Sequence, residues 1–223
     1  MAKRSLMAKG LTASMPMTGD LTDAPALVAF DFDGTLTVRD SFNAFLKWRA
    51  GPARWTAGVL RLSPALMGYV FNRNRGKLKA AAVREFLKGA TQAEIEADAR
   101  AFAELHAPSL FRPDALAVWR RWRAKGAKLV IVTASPDITV APFARGLGAD
   151  MLIGTRLAFD QNDRALGVLA GPNCRAKEKV VRLQEVFGAD VRLTAAYGDT
   201  SGDAEMLAIA DERGYRVFRG KPL

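Results

Sequence analysis

Runs of apolar residues that stop abruptly at polar ones punctuate this chain. Leu27-Val28-Ala29-Phe30 leads into Asp31-Phe32-Asp33-Gly34-Thr35, and Leu129-Val130-Ile131-Val132 into Thr133-Ala134-Ser135-Pro136. Val191 to Tyr197 leads into Gly198-Asp199-Thr200-Ser201-Gly202-Asp203. Such runs read as buried parallel strands that deliver side chains to one sheet edge. Met151 to Phe159 and Ala165 to Ala170 predict two more strands around the polar turn Asp160-Gln161-Asn162-Asp163-Arg164, and a last strand is expected near Tyr215 to Phe218. Helical spacing lies between the strands: Lys77 to Leu87, Gln92 to Leu105, Pro113 to Lys125, a helix beginning near Pro136, Asn173 to Val186 and Ala204 to Ala210. Strands alternating with helices predict an α/β fold with a doubly wound, Rossmann-like, mostly parallel sheet.

The stretch from about Ser41 to Phe111 carries helical periodicity and no strand signal. It is expected to be an all-helical cap, residues 39–112, inserted into a core made of 25–38 and 113–223. Asp40 or Ser41 can cap its first helix, which carries Phe42, Phe45 and Leu46 on one face, and Thr91-Gln92-Ala93-Glu94 is a capping-box pattern. Trp55 to Phe71 is strongly apolar, but Arg61 and Pro64 argue against a membrane span and for two short helices broken near Ser63-Pro64. That segment either packs as core or dips into a lipid interface, flanked by Arg54, Arg73, Arg75, Lys77 and Lys79. Residues 1–24 show no sustained period and read as a disordered arm; Lys3, Arg4 and Lys9 are followed by no apolar stretch of the kind a secretory signal needs.

Charge sharpens this picture. The formal net charge is +10. Between Thr37 and Arg112, thirteen Lys/Arg face six Asp/Glu, which favours anionic partners such as a phosphorylated substrate, a phospholipid surface or nucleic acid. One cysteine, Cys174, excludes an intramolecular disulfide and fits a reducing cytoplasm. One histidine, His106, placed before Pro108 in an expected loop, excludes a zinc cluster and histidine-phosphatase chemistry. A tyrosine-phosphatase loop would need an arginine six positions beyond Cys174, where Val180 stands.

Asp31 and Asp33 are two apart and share a face if the strand continues. Two such carboxylates either sit solvated in a turn or flank something positive, a Mg²⁺ ion or a transferring phosphoryl group. Thr133, a lysine at 177 or 179, and the pair Asp199 and Asp203 come from other segments that right-handed connections bring to the same sheet edge.

With these residues in view, the chain resembles the haloacid dehalogenase superfamily. Asp31-Phe32-Asp33-Gly34-Thr35 matches its first motif, Thr133 its second, a late lysine its third, and Gly198-Asp199-Thr200-Ser201-Gly202-Asp203-Ala204-Glu205-Met206-Leu207 its fourth. The helical insertion resembles the phosphoserine-phosphatase-like branch. Asp40-Ser41-Phe42, Thr133-Ala134-Ser135-Pro136 and Cys174-Arg175-Ala176-Lys177-Glu178-Lys179-Val180 resemble C-type phosphatidylglycerophosphatases. The resemblance implies a Mg²⁺-dependent phosphomonoesterase. Asp31 would be the nucleophile and Asp33 the general acid and base. Thr133 and Lys179 would hold the phosphoryl group, with Gly34 and Ser135 also binding substrate. The cation would be held by Asp31, the Asp33 main-chain carbonyl and Asp199, with Asp203 in support through water. One helix cannot aim both Lys177 and Lys179 at the site, and alignment with the family's Glu-Lys-Val segment selects Lys179. The expected substrate is a phospholipid head-group phosphate such as phosphatidylglycerophosphate, in the cytoplasm with peripheral contact at the inner membrane face. The alternatives are a soluble phosphatase of the phosphoserine type and, more distantly, a catalytically dead protein binding anionic membrane or nucleic acid; no nucleic acid is expected as partner of the enzyme.

Overall fold

The computed structural model describes residues 25–63, 65, 67 and 75–222. Five parallel strands form the main sheet: β1 (Leu27–Phe30), β2 (Lys128–Pro136), β3 (Met151–Thr155), β6 (Leu193–Gly198) and β7 (Ala210–Tyr215), in the order β3-β2-β1-β6-β7. β4 (Leu157–Phe159) and β5 (Ala165–Leu169) form a separate antiparallel pair. Order reverses at β1, so a crevice opens beyond the carboxyl ends of β1, β2 and β6, the usual ligand position in such sheets.

Side-chain alternation builds two apolar layers. Val28, Phe30, Leu129, Ile131, Ala195 and Tyr197 pack on one face with Trp119 and Trp122 of α4 (Pro113–Ala124) and Val140 and Phe143 of α5 (Asp137–Gly146). Ala29, Val130, Val132 and Ala196 face the other way, against Leu183 of α6 (Lys177–Phe187) and Met206 and Leu207 of α7 (Ala204–Ala208). Apolar area removed from water on both faces explains why these strands read as unbroken apolar runs.

Between β1 and β2 the chain forms α1 (Ser41–Arg61), α2 (Arg75–Leu87) and α3 (Gln92–Leu110). The two connections into this insertion run side by side: Thr37 bridges Phe111, Val38 N–H donates to Leu110 O, and Arg112 N–H donates to Leu36 O. Arg112 reinforces them, its Nε donating to the carbonyls of Gly34 and Thr37. At the far end the β4–β5 pair meets the α2–α3 turn through Gly89 N–H to Ala165 O and Ala165 N–H to Ala90 O.

Several expectations are corrected. The first insertion helix runs to Arg61 and breaks at Gly51–Pro52, where Gly51 adopts φ +70°; Pro64 lies outside the described residues. A glycine takes that left-handed φ without steric cost, and Pro52 suits the first turn of a restarted helix. His106 sits inside α3, not in a loop, because helical packing continues to Leu110 and Pro108 removes only one backbone donor. The last strand is Ala210–Tyr215 rather than 215–218, and α7 ends at Ala208. As an edge strand, β7 carries Asp211, Glu212 and Arg213, a polar run that disguised it. Asp40 does cap α1, accepting from Asn43 N–H at 2.8 Å, and Thr91 and Glu94 form the capping box. Trp55 packs inward, stacked on Phe86 at 5.0 Å, whereas Leu60 is 69% exposed; Leu66 and Tyr69 lie outside the described residues, as do residues 1–24. Among the described residues, no helix is long and apolar enough to cross a membrane.

Candidate active site

Strand register sets the site. Phe30 pairs with Ile131 on one side and Tyr197 on the other, so the residues just beyond, Asp31, Thr133 and Asp199, emerge at nearly one level. Asp31 N–H still donates to Tyr197 O at 2.9 Å, which fixes its direction before the chain turns through Phe32–Leu36. Gly34 makes that turn at φ +86°, and a Cβ there would stand 2.3 Å from Asp199 Oδ2. The glycine thus serves both the left-handed turn and the close approach of the β6 carboxylate.

Lys179 reaches the same point from α6 and is 1% exposed. Its ammonium donates to Asp31 Oδ1 at 2.6 Å, Asp203 Oδ1 at 2.7 Å and Val132 O at 2.6 Å. All three donors of a lysine are therefore spent. Burial alone would lower the Lys179 pKa, but Asp31 and Asp203 more than offset this and hold the amine charged. Lys177 is exposed, which resolves the choice between the two lysines.

One oxygen from each of Asp31, Asp199 and Asp203 lies within 4.8 Å of the others. Burial lifts the Asp31 carboxyl to about 7, with Lys179 pulling against it. Burial and the Asp203 charge also raise Asp199. At Asp203 burial is outweighed by Lys179 and the pKa is lowered. Hard carboxylate oxygens grouped in this way, with open space beside them, suit a divalent cation that keeps waters. The group fits Mg²⁺, which Asp31 and Asp199 could hold directly. Asp203 is largely committed elsewhere, since its Oδ2 accepts from the N–H groups of Asp199 and Thr200 and from Thr200 Oγ1. It orients the Asp199 turn.

Asp33 stands apart from this acidic group. Its Oδ1 accepts from Ser41 N–H at 2.7 Å and Ser41 Oγ at 2.5 Å, and its Oδ2 from Ser135 Oγ at 2.5 Å. Both side-chain oxygens of Asp33 are thus occupied by hydroxyl and main-chain donors. Ser135, expected to bind substrate, spends its hydroxyl on Asp33. Thr133 is fully buried and accepts from Ser135 N–H at 3.0 Å, leaving its own hydroxyl proton for another acceptor. These residues line a cavity of about 660 Å³ under α1 and α2. A larger cavity of about 1260 Å³ lies between α3 and α5, away from this chemistry.

The sequence reading missed four contributors. Ser41, which reads in the sequence as a helix cap, donates from both its N–H and its hydroxyl to Asp33 Oδ1. Thr35 donates weakly to Asp31 Oδ2 at 3.3 Å. Arg175 donates to Thr200 and Ser201 hydroxyls at the mouth. Lys79 crosses from α2 to donate to Ala134 O at 2.5 Å. A serine at a helix start and a lysine on an amphipathic helix look alike whether or not a site lies beneath them. Cys174, by contrast, is fully buried, and burial lifts its thiol to about 11, in keeping with a structural role.

Residues 28–208 match the family model of haloacid dehalogenase-like hydrolases. The chain belongs to that family. It is 79% identical over 222 residues to Protein CicA of Caulobacter vibrioides strain NA1000, with all of both chains covered. Among solved structures it is similar to a protein of unknown function from Bordetella pertussis Tohama I, at 25% identity and TM-score 0.69, covering 82% of this chain and 86% of that one. It also shares the fold of a substrate-bound phosphoserine phosphatase, at 18% identity and TM-score 0.60, with 86% of each chain covered. The family match spans the segments that carry Asp31, Thr133, Lys179 and Asp199.

Gly34→Ala tests the geometry directly. The added methyl would collide with the Asp199 carboxylate in a backbone conformation that alanine rarely adopts. The variant is expected to lose about 1–3 kcal/mol of stability and about tenfold in Mg²⁺ affinity, read by urea unfolding and by calorimetric titration.

Proposed function

We propose that this protein is a Mg²⁺-dependent phosphomonoester hydrolase that works through an aspartyl-phosphate on Asp31, with the helices between β1 and β2 acting as a cap over the site. The observation that carries the reading is the convergence of Asp31, Asp199 and Asp203 around Lys179, with Thr133 and Asp33 at its edge. A bound Mg²⁺ would supply charge neutralisation of the phosphoryl oxygens. The residues do the rest. A carboxylate oxygen of Asp31 attacks phosphorus as the bond to the leaving oxygen breaks, and Asp33 gives that oxygen its proton. Asp33 then takes a proton from the water that attacks the acyl phosphate, releasing phosphate and restoring Asp31. Lys179 and the Thr133 hydroxyl offset charge on the phosphoryl group in a water-poor setting. To reach the leaving oxygen, Asp33 must exchange its hydrogen bonds to Ser41 and Ser135, one of which belongs to the cap.

For substrate we infer a phosphorylated phospholipid head group such as phosphatidylglycerophosphate. The exposure of Leu60 and Met67 is the feature that favours peripheral contact with a membrane. The inward stacking of Trp55 and the shared fold with phosphoserine phosphatase favour the second reading, a soluble phosphatase of the phosphoserine type. Phosphate release from phosphatidylglycerophosphate vesicles, phosphoserine and sugar phosphates, with and without chelator, separates them. Preference for phosphoserine would remove the lipid assignment, and activity that survives chelation would remove the metal.

Because Asp31 carries a proton up to about pH 7 without the ion, protons and cation compete for it. Apparent Mg²⁺ affinity is expected to weaken by about tenfold for each unit below about pH 7, as measured by activity against free Mg²⁺ at several pH values.

A further inference from the structure

Six cations line the active-site cavity: Arg39, Lys79, Arg112, Arg175, Lys179 and Arg216. Of these six, only Lys179 is ion-paired with carboxylates among the described residues. Arg112 is occupied by main-chain carbonyls and Arg216 donates to Asp199 O, so both serve the backbone. Lys79 is different. It belongs to the cap helix α2, is half-buried, and its ammonium has one hydrogen bond, to Ala134 O, with the Phe42 ring 5.9 Å away. Two of its three donors are unspent. Burial lowers its pKa, with Asp33 and Asp40 pulling the other way. A partly desolvated ammonium without an ion pair is costly unless an anion arrives to meet it. Arg39, at the same mouth, has no side-chain partner among the described residues. The scissile phosphoryl group would have its own positive partners in Lys179 and in any cation that Asp31 and Asp199 would hold, on the core side of the cavity.

We infer that Lys79, assisted by Arg39, reads a second anionic group on the leaving-group side of the substrate, so that the enzyme acts on phosphomonoesters whose alcohol carries a carboxylate or a phosphodiester. This rests on the phosphatase reading and narrows it. The test compares glycerol 3-phosphate with 3-phosphoglycerate, which replaces a terminal alcohol by a carboxylate, and with phosphatidylglycerophosphate vesicles, whose second anion is a lipid phosphodiester. Lys79→Met is expected to lower kcat/KM for at least one anion-bearing substrate by about tenfold or more relative to glycerol 3-phosphate, chiefly through KM, while Lys79→Arg retains the preference. The substrate on which the loss appears identifies the carboxylate or the lipid source. A ratio is insensitive to any fraction of unfolded enzyme. Parallel losses on all three substrates, or an equal loss in Lys79→Arg, would overturn the inference and leave the phosphatase standing. Failure of the unaltered protein to hydrolyse any of the three, or phosphoserine or sugar phosphates, would overturn the phosphatase reading, and this inference with it.

Discussion

Replacing Asp31 by asparagine is expected to lower turnover by at least about 10³-fold, because an amide oxygen cannot form the acyl phosphate. The same change should have the opposite effect on stability when the ion is removed. Burial sets the Asp31 pKa near 7 in the folded protein, against 3.8 as the ordinary value. Between those two values the folded state binds more protons than the unfolded one, so the stability of the ion-free protein falls as pH rises through that window. Above it the full cost of a buried carboxylate is present. Asp31→Asn removes this cost. In chelator it should melt higher than the unaltered protein at about pH 8 and converge with it at about pH 4. Activity that persists in Asp31→Asn would remove the nucleophile assignment. A variant less stable than the parent at high pH would show that the Lys179 contact outweighs desolvation.

The fold was legible in the sequence where burial is two-sided. β1, β2 and β6 are apolar on both faces, and the apolar run of each stops at or just before a candidate site residue, so the positions of Asp31, Thr133 and Asp199 follow from the end of a hydrophobic run. β7 escaped because only an edge strand can carry Asp211, Glu212 and Arg213 in sequence. The Gly51 break escaped because Pro64 gave a louder local signal than a Gly-Pro pair inside an amphipathic pattern. Within the site, residues tied to a motif were readable and those supplied by tertiary approach were not. Lys179 could be chosen over Lys177 from helical geometry and family pattern together. Nothing in the order of residues reveals that Ser41 and Ser135, 94 positions apart by their numbering, close on the two oxygens of one carboxylate. Lys79 reads in the sequence like any lysine on an amphipathic helix, and only the path of α2 over the crevice distinguishes it.

That tertiary dependence makes Lys179 the most consequential single position for stability. It is the sole cation between Asp31 and Asp203 among the described residues, and its third hydrogen bond ties α6 to β2 through Val132 O. Lys179→Met keeps the length and apolar stem but leaves two carboxylates facing each other in a poorly hydrated space. Removing one partner of a buried ionic cluster costs about 3–5 kcal/mol, more than the pair itself adds over a well-packed apolar replacement. Urea unfolding in chelator should show a loss of that size. Saturating Mg²⁺ should recover part of it, since a divalent cation can take over the neutralisation of Asp31. Combining Lys179→Met with Asp31→Asn should also recover part, because one of the two stranded charges is gone and the two changes share a contact. Turnover should remain lost in both, as the phosphoryl group no longer meets the ammonium. If Lys179→Met unfolds with the stability of the unaltered protein, the three-way contact contributes nothing net, and the account of how α6 is held to the sheet edge fails with it.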